Sequence, residues 1–347
     1  MKSQTLRKLT LAVALAATWV EVCHAQTTAN TTPVGYITVT IPAANPPSIP
    51  EQTAAFSVPL YNTPDFQGTV ATLDDIDKFT LTGAAFTAGS FNVPTATPRG
   101  VRIMTAGAQQ GMLFLVTANT TNQLTVALPN GVANINTLLA VGNTVQIVPV
   151  NTFGSLFGTT TPILAPGASA NDADVVYLLS KDGSGNDKWN PYYHNGTNWR
   201  LSGDLNSQNN TIIFPDEGVL IVHRGTNPVT LTMMGAVPST SEQTDLFGSG
   251  STFLANRFPV DVQLINSGIN TSPGWVTNTS PNVADKVYLW DPTNRVWQTY
   301  FHNGTNWRRA GSIANQNTTL IKAGTGVVLS RSSPTGTALS QPLPYTP

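Results

Sequence analysis

Alternation of apolar and polar residues is the dominant pattern along this chain. Residues 35–41 (GYITVTI) carry apolar side chains at every second position, the period of a strand with one buried face. Similar short runs recur at 55–60, 68–73, 79–82, 101–105, 112–117, 123–128 and 144–148. Turn formers separate them, as in Asn119-Thr120-Thr121-Asn122 and Pro129-Asn130-Gly131. Strands this short, at this spacing, predict a small barrel or sandwich over 55–160. A long amphipathic helix is not predicted anywhere, and only 134–139 suits a single helical turn. The expected fold class is all-β: an N-terminal small β-barrel or sandwich, then a tandem-repeated, β-hairpin-rich C-terminal region over 161–347.

The C-terminal region contains an internal repeat. Residues 189–203 read WNPYYHNGTNWRLSG and residues 297–311 read WQTYFHNGTNWRRAG, 108 positions apart. Upstream, DVVYLL at 174–179 matches DKVYLW at 285–290, with three extra residues in the first copy's turn between Lys181 and Lys188. Downstream, NTIIFPDEGVL at 210–220 matches TTLIKAGTGVV at 318–328. The copies span about 171–235 and 282–335. Two copies are too few for a solenoid, so tandem domains or two halves of one sandwich fit better. Asn195-Gly196 and Asn303-Gly304 predict two-residue hairpin turns, because Asn-Gly accepts the positive φ of a type I′ turn. That register sets Tyr192 opposite Trp199 and puts Tyr192, His194, Thr197 and Trp199 on one face. Tyr300, His302, Thr305 and Trp307 share the matching face of the second copy. Arg200 and Arg308 then lie diagonal to Tyr193 and Phe301, within reach of cation–π contact.

The twin W-x3-[YF]-HNGTNWR-x2-G hairpins resemble those of a family of uncharacterised exported proteins from Verrucomicrobia. So do GYITVTIP near the start, SVPLYNTPDFQGTV at 57–70, VQIVPVNTFGSLF at 145–157 and LANRFPVDVQL at 254–264. The resemblance covers nearly all of the chain after residue 25, in the same order. It implies export, and it carries no reaction, ligand or catalytic residue.

The first 25 residues read as a signal peptide. Lys2, Arg7 and Lys8 precede an apolar run from Leu9 to Val20, and small residues before position 26 favour cleavage after Ala25. Glu21 ends that run short of a membrane span. Residues 26–54 are then a polar leader, a first strand and a Pro-rich link. Removing the signal takes away the single cysteine, Cys23, and leaves 14 basic and 17 acidic residues, a net charge of −3. Disulfide and thiol chemistry are excluded from such a mature chain. No transmembrane span is expected after cleavage. Localisation is expected in the periplasm, at the outer surface or outside the cell.

Composition adds a constraint. Only 10% of residues are charged, against 49 Thr, 30 Asn, 28 Gly and 25 Pro. Ordinary soluble domains carry about a quarter charged residues. The near-neutral balance offers no electrostatic footprint for nucleic acid. It also leaves few Lys and Glu to blunt sheet edges, which favours self-association through those edges.

Catalytic constellations are missing from the sequence. His194, His223 and His302 are the histidines after the signal, and none has a metal-ligand spacing with Asp172 or Asp285. Asp182 to Asp187 begins like a calcium loop, but it lacks the glycine and the closing glutamate. No G-x-S-x-G elbow or phosphate loop occurs. Asp204, Asp216, Glu217 and Asp285 are too unspecific to define a hydrolase pair. No cofactor is expected. The ligand candidates are Trp189, Tyr192, Trp199 and Arg200, with Trp297, Tyr300, Trp307 and Arg308: flat rings beside hydrogen-bonding groups, the combination a polysaccharide requires. The competing reading packs the same rings into the sheet core. The function expected from the sequence is an exported, non-catalytic structural or interaction component of the cell envelope or surface. The alternatives are a carbohydrate-binding module and, further off, an extracellular hydrolase.

Overall fold

Six strands close into a barrel. Around it run Phe66–Asp75, Lys78–Leu81, Gln123–Val126, Leu113–Asn119, Arg99–Ile103 and Thr144–Pro149. Alternation fills its interior with Phe79, Leu81, Phe114, Val116, Leu124 and Val126. The computed structural model describes residues 33–346 apart from Ala96 and Asn130, so the expected signal segment lies outside the described residues. The described chain is all-β, and its longest helix has five residues, Phe153–Phe157. Among the described residues no helix is long and apolar enough to cross a membrane. The single turn expected at 134–139 is the 3-10 turn Ile135–Thr137.

The duplicated region forms two like-built units. The first has a five-stranded sheet in the order Trp199–Leu201, Asp187–His194, Val175–Lys181, Val219–His223 and Gln52–Phe56. The second has the order Trp307–Arg309, Val296–His302, Lys286–Asp291, Gly326–Arg331 and Gly250–Ala255. A ribbon covers one face of each sheet: Val34–Ile41 with Val229–Ala236, and Glu242–Leu246 with Thr337–Gln341. Ile41, Leu231 and Met233 of the first ribbon meet Phe56, Val176, Trp199 and Ile221 of its sheet. Leu246 and Leu339 meet Val287, Trp307 and Leu329 in the second.

This arrangement moves the domain boundaries expected at 55 and 160. Gln52–Phe56 pairs with Val219–His223, not with the barrel. Asn151–Thr152 pairs with Ile212–Ile213. Each repeat therefore extends beyond 171–235 and 282–335, to 34–56 plus 151–236 and to 242–341. The barrel is an insertion between two strands of the first unit. Alternation revealed the strand near 55, but its partner lies more than 160 positions away.

The uncovered faces of the two sheets pack against each other. Period two sends Phe56 into its own core and Ala55 to the shared side. There Ala55, Leu179, Leu220 and Trp189 meet Phe253, Trp290, Trp297 and Val328. The backbone joins reciprocally: the Ala255 N–H donates to the Asp216 carbonyl (2.9 Å) and the Ser57 N–H to the Gly324 carbonyl (2.9 Å). These are matching positions in the two copies. Glycine is required where the copies touch. A Cβ on Gly218 or Gly326 would stand 2.7 or 2.6 Å from the Phe253 ring.

Glu242 ties the barrel to this pair. Its buried carboxylate accepts from Arg102 of the barrel, from Arg257 of the second unit (2.8 Å) and from the Tyr61 hydroxyl (2.5 Å). Tyr61 lies on the link out of the first unit, exchanges both backbone bonds with Ala236 and carries the Arg102 guanidinium 4.4 Å over its ring. Burial pushes the Tyr61 hydroxyl well above its usual range. Breaking a buried ion pair from one side costs about 3–5 kcal/mol, because a charge is left unpaired. Glu242→Gln is expected to destabilise the chain by about that amount in urea denaturation. A change below about 1 kcal/mol would mean that the carboxylate is not essential there.

Candidate functional site

The HNGTNW hairpins are latched by side chains. The strands pair Tyr193 with Arg200 and His194 with Trp199, leaving a four-residue loop. The second copy pairs Phe301 with Arg308 and His302 with Trp307. The two-residue type I′ turn expected at Asn-Gly is thus corrected. The Asn195 side-chain oxygen accepts the Thr197 and Asn198 N–H groups at 3.0 and 2.8 Å, and Asn303 does the same for Thr305 and Asn306. This closes the loop with a positive φ only at Gly196 (96°) and Gly304 (100°). The new register sets Arg200 and Arg308 directly across from Tyr193 and Phe301, rather than diagonally.

Each histidine is committed to the frame. His194 Nδ1 accepts the Gly196 N–H (3.1 Å), so Nε2 carries the proton and donates to the Thr159 carbonyl (2.7 Å). His302 Nδ1 accepts the Gly304 N–H (3.3 Å), and burial holds its pKa below the ordinary value. His223 lies between Asp174 (2.7 Å) and the Asn227 carbonyl (2.8 Å). Asp174 and Asp285 are matching buried clamps. The first accepts the Ala165 and Arg224 N–H groups, the second those of Val276 and Ser332. Asp182, from the calcium-like segment, spends one oxygen on the Ser184 and Asn186 N–H groups. Among the described residues, no three His, Cys, Asp or Glu converge to hold a metal.

The eight ligand candidates fall in three places. Trp199 and Trp307 are 0% exposed in the two cores, with Tyr192 half-buried and Tyr300 buried beside them. Trp199 packs on Phe153 and Phe157 and donates its indole N–H to the Gly158 carbonyl (2.8 Å). Trp189 and Trp297 flank Phe253 between the units, at 5.6 and 6.1 Å. The rings therefore make no common open face. Arg200 and Arg308 remain half-buried at the hairpins. Arg200 Nε and Nη1 have no partner among the described residues.

A latched loop follows each hairpin. The Trp199 N–H donates to the Asn209 side chain (2.8 Å), and Asn209 donates back to Asn198 (3.0 Å). Asn317 repeats this between Trp307 (2.8 Å) and Asn306 (3.1 Å). At the loop tips, 108 positions apart, stand Leu205 at 87% exposure and Ile313 at 91%. Beside Ile313 an open groove of about 570 Å³ is lined by Phe301, Asn303, Arg308 and Pro281. Tyr193, Asn195 and Arg200 hold the matching positions of the first copy. In the sequence these tips read as ordinary loop residues, and only the 108-residue offset pairs them once both loops are aligned.

The hydrolase candidates fall in three places. Asp285 is a clamp, and Asp204 accepts the Asn206 N–H (2.9 Å) in its loop. Asp216 and Glu217 stay together on the turn that meets the second unit. Burial, with help from Asp216, pushes the Glu217 carboxyl up to about 8. Burial and Asp216 likewise push Asp245 up to about 6. Comparison with protein-family models, curated proteins and solved structures finds no match to this chain.

Glu217 makes stability pH-dependent. Between about 4.5 and about 8 the folded chain keeps a proton there that the unfolded chain has released. Stability therefore falls as pH rises through that window. Glu217→Gln is expected to raise the melting temperature at pH 8 by a few degrees and to leave it nearly unchanged at pH 4.5. Thermal melts across this range would refute the assignment if the difference between variant and parent were constant.

Proposed function

We propose that this is an exported, non-catalytic interaction protein of the cell envelope or extracellular surface. One observation carries the reading: the same latched loop presents an exposed apolar tip in both copies, Leu205 and Ile313, and in the second copy that tip shares a groove with Arg308 and Phe301. Surface apolar residues are common singly. Their recurrence at matching positions, on loops held by two asparagines each, fits a binding element used twice. Two equivalent sites on one chain gain from avidity when a partner offers repeated targets, as polymers and arrayed envelope proteins do.

Export rests on the charged and apolar segments of the first 25 residues and on the resemblance to exported proteins. The commitment of His194, His223, His302, Asp174 and Asp285 to the frame supports a non-catalytic role, since these are the groups acid–base or metal chemistry would draw on.

The test is retention of the purified mature chain on envelopes of the source cells. Leu205→Ser with Ile313→Ser is expected to lower retention at least about tenfold without changing the melting temperature, and each single variant to fall in between. Equal retention of the double variant and the parent would contradict the proposal.

A further inference from the structure

The two units differ where they meet, and the difference opens a cleft. Ala55 in the first unit matches Phe253 in the second, since each lies opposite the corresponding residue of the next strand, Leu220 or Val328. Phe253 fills the space around itself, whereas Ala55 leaves its own side open. Leu179 matches Trp290, because each pairs with the corresponding tryptophan, Trp189 or Trp297. The first copy's longer turn closes the matching space: Lys181 pairs with Asp187 and donates to the Ser249 carbonyl (2.8 Å), and Asp187 accepts the Ser251 N–H (3.0 Å). The second copy's turn, three residues shorter, has no such reach. A cleft of about 250 Å³ remains between the units, walled by Trp290 and Ala55 and bordered by Thr40, Thr53, Thr325 and Lys322.

We propose that this cleft binds one neutral sugar ring, stacked on Trp290. Its volume lies below the roughly 300–1,000 Å³ of sites for drug-sized ligands, which suits one ring rather than an oligomer. The indole offers a flat apolar face. Threonine hydroxyls border the cleft, as a hydroxylated ligand requires. Charge selects for neutrality: among the described residues no carboxylate lines the cleft, and Lys322 is already paired with Asp261 at 2.7 Å. The site stands on residues separate from the apolar tips, so either can fail without the other.

The experiment follows the Trp290 indole N–H resonance in the full mature chain, labelled at its tryptophans. The probes are the methyl glycosides of glucose, galactose, mannose and N-acetylglucosamine, with glucuronate and glucosamine as charged comparisons. At least one neutral glycoside is expected to shift that resonance saturably. Ala55→Phe, which imports the ring that fills the other copy's space, should weaken binding at least about tenfold. Thr53→Val, which keeps the volume and removes a hydroxyl, should weaken it measurably with the tryptophan spectrum otherwise unchanged. The proposal is overturned if no neutral glycoside moves the Trp290 resonance. It is equally overturned if Ala55→Phe folds and binds like the parent, or if the charged sugars bind as tightly as the neutral ones.

Discussion

Glu242 is buried where the barrel, the link from the first unit and the second unit come together, and the arrangement of all three depends on its partners. A carboxylate out of water is costly unless it is paired and hydrogen-bonded. Here two guanidiniums and a tyrosine hydroxyl satisfy it, and each comes from a different part of the chain. A chain with only 10% charged residues thus concentrates several of them at one internal joint. The rest of the joint is apolar contact around Phe253 and reciprocal backbone bonding at Asp216 and Gly324. Hydrophobic contact holds the units together without direction, whereas the ion pairs and backbone bonds fix their orientation.

Duplication separates frame from function. Features kept in both copies at buried positions hold the fold: the Trp199 and Trp307 cores, the asparagine latches, and the Asp174 and Asp285 clamps. Features kept in both copies at exposed positions, Leu205 and Ile313, are hardly packed among the described residues. Features that differ, Ala55 against Phe253 and the two turn lengths, mark where one copy has gained space the other lacks. Insertion of the barrel into the first copy alone is the largest such difference.

Much of the frame is legible in the sequence, and the reasons for the rest are physical. Local alternation located the barrel strands near 101–105, 112–117 and 144–148. The twin hairpins announced the duplication. The hairpin register was misread because the Asn195 and Asn303 side chains, not the backbone alone, close the loop. The insertion was hidden because strand Gln52–Phe56 shares only its alternation with Gly250–Ala255 and finds its partner across the whole barrel. Glu242 reads as an ordinary surface glutamate until Tyr61 and Arg102, 181 and 140 positions away, are brought to it. The cleft was foreshadowed by the three-residue difference in turn length, but the space it opens depends on contacts between copies.

The inserted barrel and the two units, locked at Glu242, form one cooperative structure. Scanning calorimetry of residues 26–347 reads that cooperativity. A single transition is expected, with calorimetric and van't Hoff enthalpies that agree. Two resolved transitions, with the barrel melting apart from the duplicated units, would contradict it.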